Sequence, residues 1–176
     1  MATARLDITR SGRERVFGDD EIIVSKTDVR GRITYANGVF VRVSGYPESE
    51  LLGAPHSIVR HPDMPRAVFR FLWERLMAGH EVFAYVNNMA SNGDNYWVLA
   101  HITPSHAPDG AIIGFHSNRR VPDRDKVARV TPLYAALLAE EQRHVDRSAG
   151  LEASCAMLAD TLRSAGMTYD EWVWSL

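Results

Sequence analysis

Residues 81–118 read EVFAYVNNMASNGDNYWVLAHITPSHAPDGAIIGFHSN. Three runs rich in β-branched and aromatic residues, Glu81–Met89, Asn95–Pro104 and Ala111–Asn118, are separated by two turn signals. The first is Ser91-Asn92-Gly93-Asp94, whose Asn-Gly pair favours a tight reversal between antiparallel strands. The second, Ala107-Pro108-Asp109-Gly110, carries the same kind of chemistry. Together they predict a three-strand meander. Val82, Ala84, Val86 and Asn88 share one face of its first strand, and Tyr96, Val98, Ala100 and Ile102 share one face of its second. Trp97 and Leu99 make the opposite face apolar as well, so both sides of this sheet need cover.

Upstream, Val68, Phe69, Leu72, Trp73 and Leu76 recur at helical spacing and predict a helix over Arg66–Ala78, ended by Gly79. Before it stands Ser57-Ile58-Val59-Arg60-His61-Pro62-Asp63-Met64-Pro65. Pro62 and Pro65 push His61 and Met64 out of the helical region, so Arg60, His61 and Asp63 project from a stiff, non-helical frame. Apolar sequence flanks the segment on both sides, a pattern that suits a ligand pocket. It equally suits a surface loop held by an Arg60–Asp63 ion pair.

Further back, Glu21–Thr27 and Ile33–Ala36 flank the turn Asp28–Arg32 and read as a hairpin. Asn37 follows in the position of a helix N-cap, and short helical pieces run over Gly38–Ser44 and Pro47–Leu52. The expected class is α+β, an antiparallel five-stranded sheet with short helices on one face and C-terminal helices beyond it. Residues 1–19 read as an N-terminal cap, helical in part. Residues 20–121 form the core domain and 122–176 a helical extension.

In that extension Asp123 is expected to cap one helix ending near Arg129, and Thr131-Pro132 to start the next. A further amphipathic helix carries Leu151, Met157, Leu158 and Leu162 and stops at Gly166. Tyr169, Trp172, Val173, Trp174 and Leu176 make the last residues unusually apolar, so they are expected to dock on the domain or on a second subunit.

The 176 residues are 45% hydrophobic and 24% charged with a formal net charge of −2, which gives no reason to expect nucleic acid or an anionic membrane as partner. No apolar run is long enough to span a bilayer, and no secretory leader is visible. Cys155 is the single cysteine, so the cytoplasm is the expected compartment. The seven histidines show no zinc spacing, and no nucleophile–base arrangement or phosphate loop is present, so the chain is not expected to be an enzyme.

Asp28–Asn37, Val43-Ser44-Gly45-Tyr46 and Glu50-Leu51-Leu52-Gly53, in this order, resemble a PAS sensory domain. Val59–Pro65 followed by Trp73, Asn92-Gly93-Asp94 and Tyr96-Trp97-Val98 resemble more narrowly the FAD-binding PAS domain of bacterial aerotaxis receptors. The likeness runs from about Glu21 to Arg120. It implies non-covalent FAD, a redox- or oxygen-responsive signalling role, and cofactor contacts from Asn37, Arg60, His61, Asp63, Trp73 and Asn88. Val82, Ala84, Val86, Val98 and Ala100 then supply an apolar slot for the ring, with Asn88 on the same face. Trp73 also suits plain core packing, and Asn37 is an N-cap whatever the ligand. The chain departs from the family at Val82, where a tryptophan is usual. It has no cysteine before Arg66 for a flavin adduct. A cofactor-free interaction or dimerisation module and a haem-binding gas sensor are the competing readings. Output is expected through a separate signalling protein, or through a homodimer built on the C-terminal helices or the outer sheet face.

Overall fold

The computed structural model describes residues 8–176. The strands β1 (Ile23–Asp28), β2 (Ile33–Ala36), β3 (Val82–Met89), β4 (Asn95–His106) and β5 (Ile112–Arg120) form one sheet in the order β2-β1-β5-β4-β3. Every neighbouring pair is antiparallel. The meander registers Val86 against Val98 and Ala84 against Ala100, so the apolar rows align as the period-2 pattern requires. One face carries α1 (Gly38–Ser44), α2 (Glu48–Leu51), a 3-10 turn (His56–Val59) and α3 (Arg66–Met77). The expected α+β class is thus the observed one.

The other face is covered from within the chain by α4 (Arg124–Gln142) and α6 (Tyr169–Ser175), while α5 (Arg147–Ala165) packs against α4 and α3. Tyr134 of α4 donates its hydroxyl to the Tyr85 carbonyl at 2.9 Å and stacks on Trp97. Trp174 of α6 packs on Phe83, and Tyr169 packs on Phe71 of α3. Val173 is fully buried, so the apolar terminus docks on its own domain. Among the described residues no helix is long and apolar enough to cross a membrane.

Two expectations need correction. Residues 124–142 form one helix, not two, with Pro132 inside it, and the Asp123 side chain makes no cap hydrogen bond. Val127, Val130, Tyr134, Leu137 and Glu141 are buried at continuous three- and four-residue spacing, which carries the helix through the proline. Proline in a helix interior costs about 3 kcal/mol. Burial of that stripe offsets it, and Thr131 donates its hydroxyl to the Val127 carbonyl at 2.7 Å.

The N-terminal cap is the second. Its first seven residues, Arg5 and Leu6 among them, lie outside the described residues. From residue 8 to residue 17 the chain forms no helix and meets the start of β4 through a bridge between Glu14 and Asn95. Ser11 N–H donates to Gly93 O at 3.0 Å, Arg15 N–H to Asn95 O at 2.7 Å, and Asn95 N–H to Arg13 O at 2.9 Å. Gly93 has φ +86°, and a Cβ there would stand 2.0 Å from the Thr9 carbonyl, so only glycine permits this approach.

Asp94 ties the arm down by accepting from Ser11 Oγ and Arg15 Nε. Hydrogen bonds from Ser11 and Asn92, aided by Arg15 and Arg13, lower its carboxyl pKa to about 2. Because the folded value lies below the unfolded one, this stabilisation is full above pH 4 and fades as pH falls toward 2. Amide exchange at Ser11 and Arg15 is therefore expected to accelerate across that window. In Asp94→Asn it should be fast at neutral pH and lack the acid transition.

Candidate functional site

A cavity of about 340 Å³ lies between the inner sheet face, α3 and the 3-10 turn. Val86, Ala100 and Ile102 of β3 and β4 form its floor. Phe69, Leu72 and Leu76 of α3 and Phe115 of β5 close its sides. Trp73 stands at the mouth, 38% exposed, edge-on to Phe115 at 5.2 Å. Gly31, at φ +74°, leaves the mouth room: a Cβ there would meet the Trp73 ring at 3.0 Å.

Polar groups enter this apolar space at two places. Asn88 is 4% exposed, and its Nδ2 has no hydrogen-bond partner. A buried amide donor left unpaired is costly, which marks the position as built for an acceptor. The Asn88 backbone bridges to Arg60. The Arg60 guanidinium donates to the Met64 carbonyl at 2.8 Å and lies over the Phe69 ring at 4.4 Å.

The second place is a cluster of Ser25, His56 and Arg119. Arg119 is 2% exposed, donates through Nη2 to Ser25 Oγ, and packs over the Phe40 ring at 4.5 Å. Its Nε and Nη1 have no partner. Burial lowers its pKa to about 10, so it remains a cation at neutral pH. His56 stacks on the same Phe40 ring, with Nε2 3.1 Å from Ser25 Oγ. Burial, and then the Arg119 charge, push it down to about 3, so the imidazole is neutral.

The sequence-predicted residues divide cleanly. Arg60, Trp73, Val86 and Asn88 converge on the cavity. Asn37, His61, Asp63 and Val98 lie outside its walls. Asn37 Oδ1 accepts from Phe40 N–H and Val24 N–H, both at 3.0 Å, and its Nδ2 donates to Ile22 O at 2.8 Å. It caps α1 and staples that helix to β1. His61 is buried, and its Nδ1 accepts from the Asp63 N–H at 3.1 Å. Burial lowers its pKa, while the Asp63 charge opposes the shift. Asp63 is ion-paired with Arg10 at 2.7 Å, not with Arg60. Val98 is fully buried beside Val86, its cross-strand partner.

Sequence reasoning missed Ser25, His56 and Arg119. A signal was present for one of them. Phe115, Ser117 and Arg119 alternate on β5, so an inward Phe115 carries Arg119 inward too.

A second, more open and polar groove adjoins the first across Ser57 and Arg60. It holds Arg66, Glu141, His144 and Arg147 between the start of α3 and the junction of α4 with α5. Glu141, 7% exposed, accepts from Arg66 Nε at 2.9 Å and from the Ala67 N–H at 3.0 Å.

A family model described as PAS fold matches residues 22–118. The aerotaxis receptor of Escherichia coli K12 is 46% identical over 121 residues, 69% of this chain and 24% of that receptor. The nitrogen fixation regulatory protein of Klebsiella pneumoniae is 32% identical over 91 residues, 52% of this chain and 18% of that protein. The chain therefore spans a quarter or less of the length of these curated relatives. The light-state structure of the blue-light photoreceptor Aureochrome1 LOV superposes with a TM-score of 0.54 at 23% identity, covering 69% of this chain and 91% of that one. At that identity the superposition speaks for the fold.

Proposed function

The chain belongs to the PAS family, and from that footing we propose that it is a cytoplasmic, redox- or oxygen-responsive signalling module that senses through non-covalently bound FAD. The observation that carries the reading is the unpaired, buried Asn88 amide at the edge of an apolar cavity. A flavin ring needs that combination, since its body is flat and apolar and one edge carries carbonyl and ring-nitrogen acceptors. The residues present fit it. Val86, Ala100 and Leu72 accept the ring body, Asn88 donates to its polar edge, and Trp73 offers a stacking surface at the mouth. The groove beyond Ser57 and Arg60, with Arg66 and Arg147, suits the diphosphate of a dinucleotide, which favours FAD over FMN. Bound flavin supplies the electron-accepting chemistry.

The four predicted residues outside the walls act from behind. Asn37 fixes α1 and hence Phe40, on which His56 and Arg119 pack. His61 and Asp63 brace the loop that carries Arg60, and Val98 packs beside Val86 as its cross-strand partner.

In this reading residues 20–121 sense, residues 1–19 cap them, and residues 122–176 pass the state on. Glu141 joins the start of α3 to α4, so a change in the cavity that moves α3 reaches the extension through this buried contact among others. Output then goes to a separate signalling protein, or to a homodimer through the C-terminal helices, which themselves lie over the outer sheet face.

The purified protein is expected to be yellow, to bleach with dithionite, and to take up FAD in preference to FMN in a fluorescence titration. A colourless protein that takes up neither overturns the flavin reading and leaves an interaction module. A Soret band makes the cavity a haem site instead.

A further inference from the structure

Arg119 has no carboxylate against it. Among the described residues no Asp or Glu forms an ion pair with this guanidinium, and two of its nitrogens point to nothing. A fully buried cation left in this state is expensive for the ligand-free fold. It is nonetheless held in place, by Ser25 Oγ on one side and the Phe40 ring on the other. Ser25 Oγ accepts from Arg119 and lies 3.1 Å from His56 Nε2, whose ring is neutral. The cluster therefore carries one positive charge, and no group in it cancels that charge.

We propose that Arg119 is the residue that makes the cavity select its ligand by charge, favouring the state that presents an anion to the buried end of β5. This rests on the flavin reading. The oxidised ring is neutral. When it takes up two electrons from a reductant such as dithionite and one proton from water, it gains one net negative charge. Arg119 lines the same cavity with its charge uncancelled, so a negative charge gained by a ring bound there is attracted to it. It is a positioning and specificity-determining residue for a redox sensor, and it biases the bound flavin toward reduction.

The test compares the full chain with Arg119→Gln and Arg119→Lys by three measurements. These are the melting temperature without flavin, the FAD dissociation constant, and the midpoint potential of bound FAD titrated with dithionite against a reference dye. Flavin-free Arg119→Gln is expected to melt no lower than wild type, because the uncompensated charge is gone. Its preference for reduced over oxidised flavin is expected to fall about a hundredfold, a potential about 60 mV lower for a two-electron couple. Arg119→Lys keeps the charge and should stay within about 30 mV of wild type, or tenfold, while binding FAD more weakly.

Equal potentials in wild type and Arg119→Gln overturn the inference and leave the flavin reading standing. So does a flavin-free Arg119→Gln that melts well below wild type, which makes Arg119 a structural strut. If Arg119→Gln binds no FAD, Arg119→Lys decides: a potential more than about 60 mV below wild type, again the two-electron conversion, overturns the inference, and one within the expected range supports it. A wild-type protein that takes up no FAD overturns both.

Discussion

Ala100→Leu is expected to give a well-folded protein whose FAD affinity is at least about a hundredfold weaker, about 2.7 kcal/mol of lost binding. Ala100 is 3% exposed and forms part of the cavity floor beside Val86 and Ile102. Leucine adds three carbons, and they occupy space that the ring needs. Each carbon buried in an existing void contributes about 0.8 kcal/mol, so the ligand-free variant should gain up to about 2 kcal/mol, less any strain. The control is its partner in the sheet register. Ala84 pairs with Ala100 and is fully buried, but it does not line this cavity. Ala84→Leu must therefore overpack the core, and it should lose about 1–3 kcal/mol. Urea unfolding and an FAD titration on both variants separate the two effects. An Ala100→Leu protein that binds FAD as wild type does places the ring elsewhere and removes the basis of the sensor reading.

Glu141→Ala is expected to carry the largest stability cost, about 2–4 kcal/mol. The carboxylate is buried and accepts from Arg66 and from the Ala67 N–H. Removing it strands a backbone donor in the first turn of α3 and leaves Arg66 without its anion. It also removes a negative charge from the positive end of the helix dipole. The lower bound reflects Arg66, a quarter of whose side chain remains in water. Glu141→Gln keeps one acceptor and should lose about half as much. Gly150 gives a second probe of the same joint, since a Cβ there would stand 2.5 Å from the Glu141 carbonyl and force α5 away from α4. If urea midpoints for Glu141→Ala and wild type coincide, the joint between sensor and extension is not structural and signalling through it loses its physical basis.

The meander was readable because its information is local. Asn92-Gly93 and Pro108-Asp109-Gly110 set the reversals, and the alternation through Val82–Asn88 and Tyr96–Ile102 set the faces. The α3 stripe was readable for the same reason. Pro132 misled because helix propensity is also local, whereas the buried stripe from Val127 to Glu141 that overrides it depends on what α4 lies against. Where the described part of the N-terminal cap docks was not legible, because its backbone partners, Gly93 and Asn95, lie about eighty residues away.

The candidate site shows the same division. Val86 and Asn88 were legible as one face of the first meander strand and Ala100 as part of one face of the second, and Arg60 as a cation in a stiff loop. That Asn37 turns its amide entirely to the backbone, and that Asp63 answers Arg10 rather than Arg60, depends on neighbours the chain order does not reveal. Periodicity and turn chemistry act over a few residues, so residue order alone was enough for the strands, the principal helix and the two apolar faces of the sheet. Arg119 meets Ser25 across 94 positions and Arg66 meets Glu141 across 75. Whether a charge so placed finds a partner or is left bare inside an apolar chamber is a property of the packed interior, because burial and the distance between charges exist only once the chain has folded.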